Sequence, residues 1–286
     1  EALAHYGHDV RLLDLASKFR SKEHSQFICY SVDIRHYSEF SLIDSDYFDV
    51  VYHLAAQTSG AVSQEQPELD ADTNVKGTLN VLNFARRAKV KKVIFSSSMA
   101  AYGEKAGAIF ENDNLEPVSI YGCTKVAGEV LVRSFSQYNI DFTIFRLFNV
   151  YGPGQDMSNL RQGMASIFMA QAIMNDEIKV TGSLDRYRDF VFIDDVVSAL
   201  LMALNDLSGK TLNVGSGTKL TVADLLDKIL KIEARNLKIE NIGGHEGDIH
   251  GSIANAGYLR SNGWQPQVLI DDGLFAMHQY ARKVLG

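Results

Sequence analysis

Two short runs, DVVYHLAA at 49–56 and KKVIFSSS at 91–98, constrain the fold more than anything else in the chain. Each is apolar on successive residues rather than on alternate ones, so both faces of each strand must be covered. Between them, from Pro67 to Ala88, lies one long stretch with helical character. The unit repeats: VRLLDL and QFICYSV read as strands on its N-terminal side, and DFTIFRLFNV follows a helix that starts near Tyr121. Strand, helix, strand, helix with buried apolar strands means an α/β chain with a parallel sheet sandwiched between helices. Past residue 151 the alternation loosens into a helix around 163–175, a short strand near Ile178, strand then helix in RDFVFIDDVVSALLMAL, a strand end at LNVGSG, and a helix from Thr221 to Ile232. The expected division is one domain of residues 1–150 rejoined by about 189–214, and a smaller α/β domain of about 151–188 and 215–286.

A chain of 286 residues with 46% hydrophobic composition buries a large core. Its net charge of −7 and lack of a long Lys/Arg run argue against nucleic acid or an anionic membrane surface as a partner. No apolar stretch reaches the roughly 20 residues that span a bilayer, and EALAHYGHDV has neither the basic start nor the apolar middle of a signal peptide. Cytoplasm is the default expectation. Cys29 and Cys123 stand far apart without a second pair, which suits thiols of a reducing compartment. Cys123 reads as a small filler residue or, less readily, as a nucleophile. No metal site is expected.

The chemistry-bearing stretch runs from Ser96 to Lys125. It opens with a strand and small-residue loop, VIFSSSMAAYG, and closes on a helix start, Tyr121-Gly122-Cys123-Thr124-Lys125. Tyr and Lys four apart share a helix face, so an ammonium can favour the phenolate beside it. Of the twelve Tyr in the chain this is the one followed by Lys at the fourth position. Ser98 at the end of the preceding strand supplies a hydrogen-bond donor, and the three together make a general base. Asp14 ends the VRLLDL strand, where an acidic residue of a dinucleotide-binding βαβ unit accepts from the adenosine ribose and repels a 2′-phosphate, favouring NAD over NADP. A strand-end Asp capping the next turn is the other reading. Ala55 and Ala56 allow a cofactor close to the backbone. The G-x-x-G-x-x-G loop that belongs before Asp14 is missing from these residues.

In these motifs the chain resembles the extended short-chain dehydrogenase/reductase family, and within it the NAD-dependent nucleotide-sugar epimerases of the UDP-hexose 4-epimerase kind. The resemblance is carried by VDIR around Asp33, HLAA at 53–56, DTNVKGT around Asn74, SSSMAAYG at 96–103, YGCTK at 121–125, RLFNVYGPG at 146–154, YRDFVFIDDVV at 187–197, LNVGSG at 212–217, and EGD with GW-x-P near the end. It implies a Rossmann-type doubly wound sheet with a smaller substrate-binding domain. It also implies that Asp14 holds the ribose, that Asp33 and Ile34 meet the adenine, and that Leu54, Ala55, Ala56, Asn74 and Ser96 line NAD together with Tyr121 and Lys125. Asn74 reads equally well as a helix Asn stitching neighbouring backbone.

Ser98, Tyr121 and Lys125 would be catalytic by this resemblance, and Ser98, Asn149, Arg188, His245 and Ser252 would face a nucleotide-sugar substrate. Arg188 suits phosphate oxygens in shape and charge, although a solvated loop Arg paired with Asp185 or Asp189 is the plainer reading. His245 stands where relatives often carry a phosphate-binding Arg, and reads equally as a surface His. The small Ser252 implies room for an N-acetyl group. The implied reaction is transient oxidation at carbon 4 of the sugar with Tyr121 as base. Met99 and Ala100 occupy places where dehydrating or decarboxylating relatives carry acids, which disfavours elimination.

A chain lacking the glycine loop and its strand should show two half-sheets with an unfilled slot, and the expectation is that roughly 20 residues precede Glu1. Relatives commonly form homodimers through the two long helices, here about 67–88 and 120–138, as a four-helix bundle. A second reading within enzymes is a member of the same family acting on another nucleotide sugar or at another carbon, and the reading from outside this class is a cofactor-sensing binding module without turnover.

Overall fold

The computed structural model describes residues 1–15, 17, 25–43, 47–105, 107–243 and 251–286. The short helix α1 (Ala2–His5) leads into β1 (Arg11–Asp14), and β2 (Ile28–Ser31) and β3 (Val50–His53) follow. Next come α2 (Gly60–Glu65), α3 (Pro67–Ala71), a π-helical turn (Asp72–Lys76) and α4 (Gly77–Arg87). β4 (Lys92–Ser98), β5 (Ala108–Ile109), α5 (Ile120–Ser134), β6 (Asp141–Leu147) and β7 (Asn149–Tyr151) complete the first half. The second half contains α6 (Met164–Met174), β8 (Glu177–Val180), β9 (Tyr187–Arg188), β10 (Phe190–Phe192), α7 (Ile193–Met202) and β11 (Lys210–Val214). It ends with β12 (Leu220–Thr221), α8 (Val222–Glu233), β13 (Lys238–Asn241), β14 (Ile253–Ala254), α9 (Gly257–Ser261) and α10 (Ile270–Leu285).

The central sheet is parallel in the order β11-β6-β4-β3, with β4 and β6 in register from Lys92↔Asp141 to Ser98↔Leu147. β4 is buried along all but its last residue, as its unbroken apolar and small-residue run requires. Successive side chains of a strand point to opposite faces. Val93, Phe95 and Ile144 therefore meet Leu82 and Ala85 of α4 and Val132 of α5 on one side. Ile94, Phe145 and Leu212 meet Val196 and Ala199 of α7 and Leu259 of α9 on the other. Full burial of an Ile or Phe of this kind stabilises the fold by roughly 2 kcal/mol. A separate core forms where α6, α8 and α10 pack with β8 and β10, around Met169, Ile178, Leu225 and Met277.

Among the described residues β1 and β2 stand apart from the four-stranded sheet, the expected division into separate pieces. β1 and β2 pair only with each other, and among the described residues no strand joins β1 to β3. The two pieces are held through α4, whose Val81 and Phe84 gather Leu13, Tyr30 and Val32 from the first and Val51 from the second. The stretch from Pro67 to Ala88 is not a uniform α-helix. A π-helical turn at Asp72–Lys76, which carries Asn74, interrupts it.

Candidate active site

The C-terminal ends of β1 to β4 lie at one edge of the parallel strands, where an open α/β sheet binds ligands. Ser98 is the last residue of β4 and caps the 3₁₀ turn Met99–Tyr102, its Oγ accepting from Ala100 N at 3.2 Å. The Ser98 hydroxyl also acts on the Tyr121 phenol, in the direction that lowers its pKa.

Ser119 caps α5 by accepting from Gly122 N at 3.0 Å, which sets Tyr121 in the first turn. Two glycines let α5 approach closely. A Cβ at Gly122 would stand 2.5 Å from the carbonyl oxygen of Ala100, and one at Gly128 would stand 2.7 Å from the Phe95 ring. Lys125, 3% exposed, donates to the Ser96 carbonyl at 2.8 Å and lies 5.2 Å from the centroid of Phe95 and 5.9 Å from that of Tyr121.

The expectation that Lys125 draws the Tyr121 pKa toward neutrality is not met in the protein by itself. Tyr121 keeps partial exposure as a residue, but its phenol is packed inside, and burial pushes it up to about 12 against the pull of Ser98. Burial likewise brings Lys125 down to about 8, opposed by the charges of Asp70 and Glu129. Desolvation is the leading cause for both groups, and the ammonium is turned to the Ser96 carbonyl.

Asn74, on the π-helical turn, holds the loop after β3. Its side chain accepts from Gln57 N and donates to Gln57 O, both at 2.9 Å, and its amide nitrogen also reaches Thr124 Oγ1 at 3.1 Å. Stitching of backbone is thus what its contacts do. Ser96 Oγ bonds to the His53 carbonyl at 3.3 Å and ties β4 to β3.

Asp14 is exposed and accepts from Leu15 N at 2.7 Å. Asp33 is gripped by Arg35, whose Nε lies 2.9 Å from Oδ1 and 3.0 Å from Oδ2, and that hydrogen bonding holds the carboxyl below its ordinary range. Ile34 packs under Gly77, and its carbonyl accepts from Asn80 at 2.8 Å. Leu54 and Ala55 are exposed beyond β3, with Ala56 partly so.

On the other side of Ser98, the Met99 thioether brings two expected substrate residues together. Asn149 Nδ2 lies 3.7 Å from Met99 Sδ, and Ser252 Oγ lies 3.4 Å from it. Ser252 is fully buried, so the space its small side chain leaves is bounded by Met99. Asn149 also donates to the Asp189 carbonyl at 3.0 Å. Arg188 Nη1 donates to the Tyr187 carbonyl at 2.8 Å. The neighbouring Asp189 carboxylate accepts from the main-chain amides of Ser216, Gly217 and Ala254 at 2.7–2.9 Å, fastening the LNVGSG loop and β14 to this edge. His245 lies outside the described residues. Met99, Asp70, Thr124 and Asp189 are site neighbours that the sequence reading did not single out for these contacts.

A profile described as the NAD dependent epimerase/dehydratase family matches residues 1–215. The chain belongs to that family and is an NAD-dependent enzyme of the extended short-chain dehydrogenase/reductase type. It is 33% identical over 282 residues to a putative UDP-glucose 4-epimerase of Methanocaldococcus jannaschii, covering 96% of this chain and 90% of that one. It is 34% identical over 239 residues to the UDP-glucose 4-epimerase of Mycolicibacterium smegmatis, covering 82% and 76%. The UDP-glucose 4-epimerase of Thermotoga maritima, solved with UDP-glucose, superposes with a TM-score of 0.93 at 31% identity, covering 100% of this chain and 94% of the other.

The residues present fit the cofactor. Lys125 has three N–H groups, and among the described residues one carbonyl accepts from them. A buried ammonium with donors to spare, beside a phenol, suits a vicinal diol such as a ribose.

Proposed function

We propose that this enzyme is a UDP-sugar 4-epimerase that works by transient oxidation at carbon 4. The observation that carries the reading is the convergence of the Ser98 hydroxyl, the Tyr121 phenol and the buried Lys125 ammonium where β4 ends and α5 begins. Tyr121, as the phenolate, takes the proton of the 4-hydroxyl and returns it to the epimer. Ser98 donates to the phenolic oxygen and steadies the charge that forms there, and Lys125 adds a fixed positive charge nearby. NAD, when bound, supplies reversible two-electron oxidation of carbon 4. Asp14, Leu54, Ala55, Ala56 and Lys125 are proposed to hold it. Met99 and Ala100 carry no exchangeable proton, so the site is built to return the hydroxyl rather than expel it.

Asn149, Met99, Arg188 and Ser252 are proposed to face the nucleotide sugar. Support for the substrate class comes from the relatives above and from a UDP-glucuronate 4-epimerase of Thermodesulfobacterium geofontis at 28% identity. Two copies are proposed to pair through α4 and α5, where Leu79 and Val130 are 38% and 58% exposed. Among the described residues no helix is long and apolar enough to cross a membrane. That Cys29 and Cys123 are thiols rather than a disulfide supports placement in the cytoplasm.

The test is incubation with NAD and, separately, UDP-glucose, UDP-N-acetylglucosamine and UDP-glucuronate, with the sugar anomeric signals followed by NMR. Conversion to the galacto epimer supports the reading, and the fastest substrate identifies the sugar. Failure with all three, in protein shown to bind NAD, overturns it.

A further inference from the structure

Under the Tyr121 and Lys125 pair lies a carboxylate that the proposed reaction does not use. Asp70 of α3 is fully buried. Its Oδ1 accepts from Gln57 Nε2 at 2.6 Å and Asn74 Nδ2 at 3.2 Å, and its Oδ2 accepts from Thr124 Oγ1 at 2.9 Å. All three donors are neutral, so hydrogen bonds are satisfied while the charge has no direct partner among the described residues. A buried charge in that position is costly unless an opposite charge is near.

The candidate is one residue beyond Thr124. Lys125 is buried to the same degree and holds only a carbonyl. The groups that face it can be enumerated. β4 presents the Ser96 carbonyl and the Phe95 ring, α5 presents Tyr121 and Glu129, β3 presents His53, and α3 presents Asp70. His53 is neutral, since burial and the charge of Lys125 bring it down to about 3. Glu129 is already bound to Arg146 and Arg133. Among the described residues, Asp70 is therefore the negative charge acting on Lys125 that has no cation bound to it.

We propose that Asp70 is the counter-charge of Lys125 and a positioning residue for the catalytic pair, keeping the ammonium protonated and pinning the first turn of α5 through Thr124. The inference rests on the reading of Tyr121 and Lys125 as the reacting pair. It agrees with the direction in which Asp70 acts on both groups, raising each.

Asp70→Asn separates charge from shape. The Thr124 hydroxyl has one proton and two acceptors within reach, Asp70 Oδ2 and the Tyr121 carbonyl, each at 2.9 Å. With an amide in place of the carboxylate, that proton turns to the Tyr121 carbonyl and the new NH₂ donates to Thr124, so the network stays satisfied.

The experiment follows Lys125 by NMR of ε-¹³C-lysine protein, with K125M identifying its signal. Wild type is expected to titrate near pH 8, and D70N at a clearly lower pH. Thr124→Val, which keeps the charge and removes one hydrogen bond, is expected to titrate as wild type. Both limbs of the epimerisation pH profile should move down in D70N. Folded D70N with an unmoved Lys125 titration overturns the proposal, as does a T124V shift equal to that of D70N.

If D70N does not fold, the double variant D70N/K125M decides. Recovery of folding supports mutual neutralisation, and continued unfolding overturns it. An enzyme that epimerises none of the sugars sinks the functional reading and leaves the lysine titration to judge Asp70.

Discussion

Replacement of Arg146 by Met tests what holds β4, α5 and β6 together beneath the site. Glu129 of α5 is fully buried, and its oxygens accept from Ser97 Oγ at 2.6 Å, Arg146 Nε and Nη2 at 2.8 Å, and Arg133 Nη2 at 2.7 Å. Arg146 is 3% exposed, so Met fills its volume and removes its charge, leaving a buried carboxylate with Ser97 and the half-exposed Arg133. Loss of one partner of a buried pair costs about 3–5 kcal/mol, on the order of 10 °C in melting temperature for a chain of this size.

The pH dependence has a definite sign. Burial pushes Glu129 up, but Arg146, Ser97 and Arg133 together hold it below the ordinary carboxylate range. A depressed carboxyl stabilises above its unfolded pKa, and that contribution is lost as pH falls through the folded value. In R146M burial is opposed less, the carboxyl takes up its proton at higher pH, and the uncompensated charge disappears. The deficit relative to wild type should therefore narrow between pH 8 and pH 5. Urea denaturation at several pH values measures this. A loss under about 1 kcal/mol at pH 8, the size of an exposed pair, would refute the reasoning, as would a deficit that widens on acidification. Glu129→Leu combined with R146M should lose less than R146M, because no orphaned charge remains.

Tyr121→Phe should lower epimerisation by about 10²–10⁴-fold while NAD binding, followed by fluorescence titration, survives; retained turnover would remove Tyr121 from the proton path. Lys125 has a folded pKa near 8 against an ordinary 10.5, so the unfolded chain holds a proton that the folded one releases between those values. Wild-type stability should accordingly rise by about 3 kcal/mol from pH 8 to 10.5 relative to Lys125→Met, whose denaturation curves lack that rise. Gly122→Ala places a Cβ against the Ala100 carbonyl and must push Tyr121 away from Ser98. Turnover should fall on the order of 10²-fold with the circular dichroism spectrum unchanged, and full activity would show that the close approach is dispensable.

What could be read from the residues alone was whatever depends on local pattern. The unbroken apolar run of β4 required cover on both faces, and α4, α5, α7 and α9 supply it. The spacing of Tyr121 and Lys125 required one helix face, and the first turns of α5 carry both, with the Lys125 ammonium 5.9 Å from the Tyr121 ring centroid. What could not be read depends on elements far apart in the chain. The π-helical turn at Asp72–Lys76 carries Asn74, which reaches Gln57 and Thr124 at once, and neither partner is marked in a sequence that simply continues as helix.

The same limit explains Tyr121. A neighbouring cation is legible four residues away, but desolvation is set by what packs around the phenol, and burial wins. Met99 was legible as a side chain with no proton to give. Its contact with Ser252 spans 153 residues, a distance that no local pattern marks. If the sugar binds here as proposed, room for an acyl group beside it turns on the rotamer of the flexible Met99 thioether as well as on the small Ser252.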